Sequence, residues 1–121
     1  LQADAEQLKQ VFLNIILNAV EAMSQNPPER SRTLIISIEK GASIDDHSHY
    51  LLLSFEDSGK GIGEKDLDHI FNPFFTTKDE GTGLGLAICY GIINRHEGEI
   101  EVHSTPGKGT CFTIKLPQYI V

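Results

Sequence analysis

From Asp4 to Met23 apolar residues return at three- and four-residue steps. Leu8, Val11, Phe12, Ile15, Ile16, Ala19, Val20 and Met23 trace one broad helical face. Leu13 and Leu17 widen that face and predict a helix buried on more than one side. Asn14 and Asn18 interrupt it at i and i+4, one above the other. Pro27 and Pro28 close the segment, and SQNPPERSR (24–32) reads as a loop. The pattern then shortens to strands, Thr33 to Glu39 and Tyr50 to Glu56, rich in Ile, Leu and Phe. Glu64 to Ile70 predicts a short helix with Leu67, Ile70 and Phe71 turned inward. Asn72 to Glu80 is a polar segment, expected to move, that carries Pro73, Phe74 and Phe75. Leu84 to His96 is helical again and ends at Gly98, with Arg95 and His96 suited to the last turn. Glu99 to His103 and Thr110 to Leu116 form a hairpin around STPGKG. Its second arm turns Thr110, Phe112, Ile114 and Leu116 to the helix-covered side.

This order (helix, two strands, glycine-rich segment, helix, two strands) predicts an α+β fold: a two-layer sandwich with helices on one face of a mixed, mostly antiparallel sheet. The 121 residues fit a single domain, 1–121, and a start at Leu1 without methionine reads as a fragment of something longer. An apolar fraction of 40% and a charged fraction of 22% describe an ordinary globular chain. The net charge of −7 disfavours nucleic acid and anionic membranes as partners, and no apolar run approaches a membrane span. Cys89 and Cys111 lack metal-ligand spacing and read as reduced thiols of a cytoplasmic protein, Cys89 in the core and Cys111 on the wetter sheet face. Asp45, Asp46, His47 and His49 lie close together, but such a short mixed loop is more often solvated than metallated.

Composition leaves the chemistry open, and the glycines narrow it. Six of the eleven fall in two groups, Gly59, Gly61, Gly63 and Gly81, Gly83, Gly85. The first follows Glu56 and Asp57, and the second opens a helix, whose free N–H groups and dipole favour an anion. A carboxylate beside one group and a helix N-terminus behind the other suit the two ends of a nucleotide. G-x-x-x-x-G-K-[ST] is absent, and so is G-x-G-x-x-G, which argues against a P-loop or a dinucleotide fold.

Five stretches in order, NIILNA, DSGKGIG, FNPFF, GTGLGL and GKGTCF, resemble the signature boxes of the ATP-binding catalytic domain of bacterial sensor histidine kinases. The resemblance covers about Leu8 to Leu116 and is closest to the nitrogen-regulator-like, short-lid branch. It implies the Bergerat fold shared with gyrase and mismatch-repair ATPases, an ATP lid, and ATP with Mg²⁺ as cofactors. By resemblance, Asp57 reads adenine through its exocyclic amine, with Gly59, Gly61 and Ile62 beside the base and Thr110 as a second contact. Asn18 is the implied magnesium ligand and Asn14 its neighbour in catalysis. Gly81, Thr82, Gly83, Leu84, Gly85 and Leu86 are expected at the phosphates. Thr77 and Lys78 lie in the lid, Lys78 within reach of the γ-phosphate.

Related ATPases of this fold carry a glutamate where this chain has Asn14, which cannot take a proton. That favours transfer to an imidazole over hydrolysis. None of His47, His49, His69, His96 and His103 sits in an H-E-x-x-[HN]-P pattern. The implied phosphoacceptor is therefore on a separate helical domain of the parent protein, with a response regulator downstream, and the fragment itself is expected to be monomeric. A hydrolytic ATPase module and a non-catalytic nucleotide sensor stand as alternatives.

Overall fold

The computed structural model describes residues 4–42, 49–73 and 85–118. The elements run α1 (Ala5–Met23), β1 (Leu34–Ala42), β2 (His49–Asp57), α2 (Glu64–Leu67), α3 (Gly85–Arg95), β3 (Glu99–Thr105) and β4 (Gly109–Gln118). Asp4 begins α1 as its N-cap, its carboxylate accepting from the Glu6 and Gln7 N–H groups. Among the described residues the strands form one sheet in the order β1-β2-β4-β3, with every pairing antiparallel. The helices cover one face, as the order of elements predicts. Val11 and Ile15 of α1 meet Cys89, Ile92 and Ile93 of α3 over Phe55, Phe112, Ile114 and Leu116 of the sheet. Cys89 is fully enclosed, and burial pushes its thiol up, so it serves as an apolar filler. Cys111 lies half-buried, in the opposite strand phase to Thr110 and Phe112.

The register gathers polar side chains at one end of this face. Ile100 and Val102 of β3, Phe112 and Ile114 of β4, and Leu53 and Phe55 of β2 make its apolar rows. The next row is polar: Asp57 pairs with Thr110, and Thr110 with Ser104. Asp57 and Thr110 are nonetheless buried. Polar side chains in that position must be bonded to something.

Several details depart from the expected outline. The outer side of α1 is not buried: Leu13, Leu17 and Val20 are 56%, 50% and 53% exposed. Among the described elements helix α1 packs on β2, β4 and α3, which cover one side of it. Its apolar breadth exceeds what this chain conceals. For the same reason Ile36 and Ile38 of β1, beyond the helix layer, stay exposed. The first two strands run further than predicted, because Lys40 and Gly41 continue the ladder opposite Leu51 and Tyr50. A lysine is at home on such an edge strand. Asp45, Asp46 and His47 lie outside the described residues, and no metal-holding cluster occurs among the described ones. No described helix is long and apolar enough to cross a membrane.

The end of α3 also differs. The left-handed residue is Glu97, at φ 60°, and not Gly98. Gly98 N–H bonds the Ile93 carbonyl at 2.9 Å and Glu97 N–H the Asn94 carbonyl at 3.0 Å, which closes a Schellman motif. Gly98 is needed for another reason. A Cβ there would sit 2.6 Å from the Lys115 carbonyl oxygen. The two positions therefore predict opposite signs. Glu97→Gly relieves a left-handed side chain and should raise stability by about 0.5–1 kcal/mol, while Gly98→Ala should lower it by roughly 1–3 kcal/mol. Urea unfolding of both variants checks this. His96, just before, ties the end of α3 to the start of α1. Its Nδ1 donates to the Ile92 carbonyl at 2.8 Å, and its Nε2 accepts from the Asp4 N–H at 3.0 Å.

Candidate functional site

Asp57 ends β2 where the strand enters the first glycine group. Its Oδ1 accepts from the Gly59 N–H at 2.8 Å and from the Thr110 N–H at 3.3 Å. Both bonds fall on one oxygen. Every fully buried side-chain nitrogen or oxygen among the described residues has a partner. Oδ2, which takes part in neither bond, therefore keeps access to the surface. The result is an oriented carboxylate in a nearly closed setting, with one edge held and one edge presented. Burial pushes this carboxyl up from the ordinary 3.8; the Gly59 and Thr110 bonds and the nearby Arg30 cation pull it down, and Glu56 pushes it up again.

Thr110 is tied through Ser104. The Ser104 hydroxyl donates to the Gly109 carbonyl at 3.0 Å, accepts from the Ile62 N–H at 2.7 Å, and lies 2.8 Å from Thr110 Oγ1. With its one proton on Gly109, Ser104 takes the Thr110 proton, and the Thr110 oxygen is left as an acceptor. Sequence reasoning missed Ser104. Its signal was the hairpin register, which sets it beside Thr110, but the predicted strand stopped one residue short of it at His103.

The first glycine group is shaped by the protein itself. A Cβ on Gly59 would stand 2.7 Å from the Ala22 Cβ, and Lys60 N–H bonds the Ala22 carbonyl at 3.1 Å. Gly61, at φ 76°, lies against the Thr105–Pro106 backbone, and Gly107 N–H reaches the Lys60 carbonyl at 2.7 Å. The loop is thus clamped between the end of α1 and the β3–β4 turn. Gly63 and Gly85 differ: a Cβ on either would meet nothing within 4 Å. No packing within the described protein requires a glycine at those two positions.

Asn14 and Asn18 both lie half-buried on α1. Asn14 Nδ2 donates to the carbonyl of Gly85, the first residue of α3, at 3.4 Å, which leaves its amide oxygen for another partner. Asn18 is itself engaged within the protein. Leu86 packs against the core. Helix α1 thus touches both halves of the region: Asn14 meets α3, and Ala22, eight residues on, meets the first glycine loop. At 1.5 Å per residue those contacts are about 12 Å apart along the axis. Thr77, Lys78, Gly81, Thr82, Gly83 and Leu84 lie outside the described residues, as do Phe74 and Phe75. Phe71 does not face the polar row. Its ring packs 5.6 Å from Tyr90 and 6.4 Å from Phe112. Tyr90 and Ile88 next to it are 45% and 40% exposed.

Residues 3–120 match the model of the histidine kinase-, DNA gyrase B-, and HSP90-like ATPase family. Sensor histidine kinase ZraS of Escherichia coli K12 is 46% identical over 120 residues, which are 97% of this chain and 23% of that protein. Sporulation kinase A of Bacillus subtilis is 46% identical over 118 residues, 98% of this chain and 18% of that protein. The chain thus spans about a quarter or less of the length of these curated relatives. Among solved structures, the nucleotide-free catalytic domain of histidine kinase ThkA superposes with a TM-score of 0.76 at 36% identity, over 95% of this chain and 68% of that one. Full-length ShkA in complex with AMPPNP gives 0.73 at 27% identity, over 92% of this chain and 21% of that one. With its helices laid on one face of an antiparallel sheet, this chain belongs to the histidine kinase-, gyrase- and HSP90-like ATPase family and stands close to the catalytic domains of sensor histidine kinases.

Proposed function

We propose that this chain, read as a single catalytic domain over 1–121, binds Mg·ATP and passes the γ-phosphoryl group to a histidine on an adjoining helical domain of the parent protein. The observation that carries the reading is the half-used carboxylate of Asp57. Oδ1 is locked by two backbone N–H groups, and Oδ2 is presented. An oxygen so placed accepts a hydrogen bond from the 6-amino group of adenine and repels the 6-oxo group of guanine. Thr110, with its proton turned to Ser104, offers a second acceptor directly or through a water. Gly59, Gly61 and Ile62 would border the base.

The phosphate end would lie at α3, whose first residues Gly85 and Leu86 offer N–H groups at a helix N-terminus. Among the described residues nothing would crowd a Cβ at Gly85, which suits a close approach. Asn14 and Asn18 supply carboxamide oxygens, the hard donors magnesium takes, and Asn18 is the better candidate ligand. A magnesium ion held there would neutralise charge on the phosphates. Gly81, Thr82, Gly83, Leu84, Thr77 and Lys78 are proposed to complete the cradle and lid. Asn14 orients but cannot accept a proton, so it gives water no base. A neutral imidazole needs none, since its ring nitrogen is already nucleophilic.

The test separates the three possible activities. The domain is mixed with a separately prepared helical domain of the parent carrying the acceptor histidine and with γ-labelled ATP. The expected result is acid-labile label on the helical domain, with negligible steady-state hydrolysis by the catalytic domain alone. Rapid turnover by the isolated domain would establish an ATPase instead. Binding without transfer or turnover would establish a sensor.

A further inference from the structure

The loop between α1 and β1 does more than connect them. Asn26 is buried, 7% exposed, although it lies between two helix-ending features in a polar stretch. Its Nδ2 donates to the Ser31 carbonyl at 3.0 Å and to the Ser58 carbonyl at 2.9 Å. Ser58 answers from the other side: its hydroxyl donates to the Ser31 carbonyl at 2.9 Å and accepts from the Thr33 N–H at 2.8 Å. Arg32 holds the loop closed through the Asn26 carbonyl at 3.2 Å. The Arg30 guanidinium donates to the Gly59 carbonyl.

Taken peptide by peptide, these bonds form a clamp. The Ser58–Gly59 peptide has its oxygen on Asn26 and its N–H on Asp57 Oδ1. The next peptide, Gly59–Lys60, has its oxygen on Arg30 and its N–H on the Ala22 carbonyl. Both peptides that flank Gly59 are gripped at both ends, and at one of the four ends the grip is a cation. We propose that Arg30 is a positioning residue of the nucleotide site, acting through Asp57: it fixes the Gly59–Lys60 peptide and supplies the positive charge that a nearly buried carboxylate lacks. The proposal rests on the reading of Asp57 as the adenine contact.

The charge balance around Asp57 gives Arg30 this weight. Glu56 precedes it on β2 and opposes ionisation; β4 contributes only the neutral Thr110, and β3 the neutral Ser104 behind it. Among the described residues, Arg30 is the cation that favours the charged form. A protonated Asp57 loses its acceptor edge toward an exocyclic amine, so the cation sets how far down in pH the site can bind.

Two measurements on wild type, Arg30→Met and Arg30→Lys test this. Carbon-13 NMR of the Asp57 carboxyl, without nucleotide, follows its titration directly. ADP calorimetry without magnesium follows binding over the same pH range. Arg30→Met should move the Asp57 midpoint to higher pH, carry the acid limb of ADP affinity with it, and weaken binding at neutral pH about three- to tenfold. Arg30→Lys should keep the midpoint near wild type yet bind more weakly than wild type, because an ammonium lacks the planar fork. Should Arg30→Met fail to fold, Arg30→Lys carries the test: an unaltered ADP affinity in that variant overturns the proposal. An Arg30→Met midpoint equal to wild type also overturns it, even if affinity falls, since that pattern marks a merely structural residue. Wild-type protein that titrates as expected but never binds ADP refutes the adenine reading, and the proposal falls with it.

Discussion

Asp57→Asn should bind ADP roughly 10- to 100-fold more weakly than wild type and yet unfold at the same or a higher denaturant concentration. The two effects have separate causes. Asparagine can keep its carbonyl oxygen on the Gly59 and Thr110 N–H groups, the two bonds that hold Asp57 Oδ1. Its second group is then an amide nitrogen facing the adenine amine, donor against donor. Losing a charge-assisted hydrogen bond costs about 1.5–3 kcal/mol. Stability moves the other way. The folded carboxyl titrates above its ordinary 3.8, with burial the largest cause. Between 3.8 and that raised value the native state holds more protons than the unfolded chain, so stability falls as pH rises through the window. Above the window the whole cost of a buried charge remains. The asparagine variant never incurs it, and its unfolding midpoint should not show that acid-side dependence. Calorimetry with ADP and urea unfolding at two pH values check both halves. Unchanged ADP affinity would detach Asp57 from the adenine, whatever the stability showed.

The same residue shows what the amino-acid sequence made legible. The acid, the glycines after it and the strand phase of Thr110 can be read from local order, because each depends on near neighbours or on a period of two. What holds them was not legible. Ser104, Asn26 and Arg30 reach the site across 42, 32 and 29 residues of chain. No short pattern marks a serine at the end of a hairpin arm or an arginine in a proline-bearing loop as partners of a distant turn. The covered side of α1 was similarly readable and its outer side was not. Periodicity says which residues share a face, and it cannot say how many faces find a partner. Leu13, Leu17 and Val20 were apolar enough to predict cover and are half exposed. At Gly98 the residue type pointed to a cap, whereas the demand came from the Lys115 carbonyl.

Asn18→Ala should separate the two ends of the proposed nucleotide. Affinity for ADP without magnesium should change little, because the proposed adenine contacts, Asp57 and Thr110, belong to β2 and β4 and not to α1. The gain in ATP affinity on adding magnesium should shrink by roughly 10- to 100-fold, and phosphoryl transfer to the helical domain should fall at least as much. Asn18→Asp sharpens the test. It keeps an oxygen donor but adds a negative charge next to the phosphates, so it should bind the free cation better and the Mg·ATP complex worse than wild type. Asn14→Glu asks the complementary question, since it introduces the proton acceptor that this chain lacks. With Nδ2 of Asn14 now on the Gly85 carbonyl, a glutamate there must give up that bond. Its expected outcome is a lower unfolding midpoint together with measurable ATP hydrolysis by the isolated domain. If Asn18→Ala left the magnesium dependence intact, the metal would have to be held elsewhere, and the role given to the paired carboxamides of α1 would be lost while Asp57 kept its own.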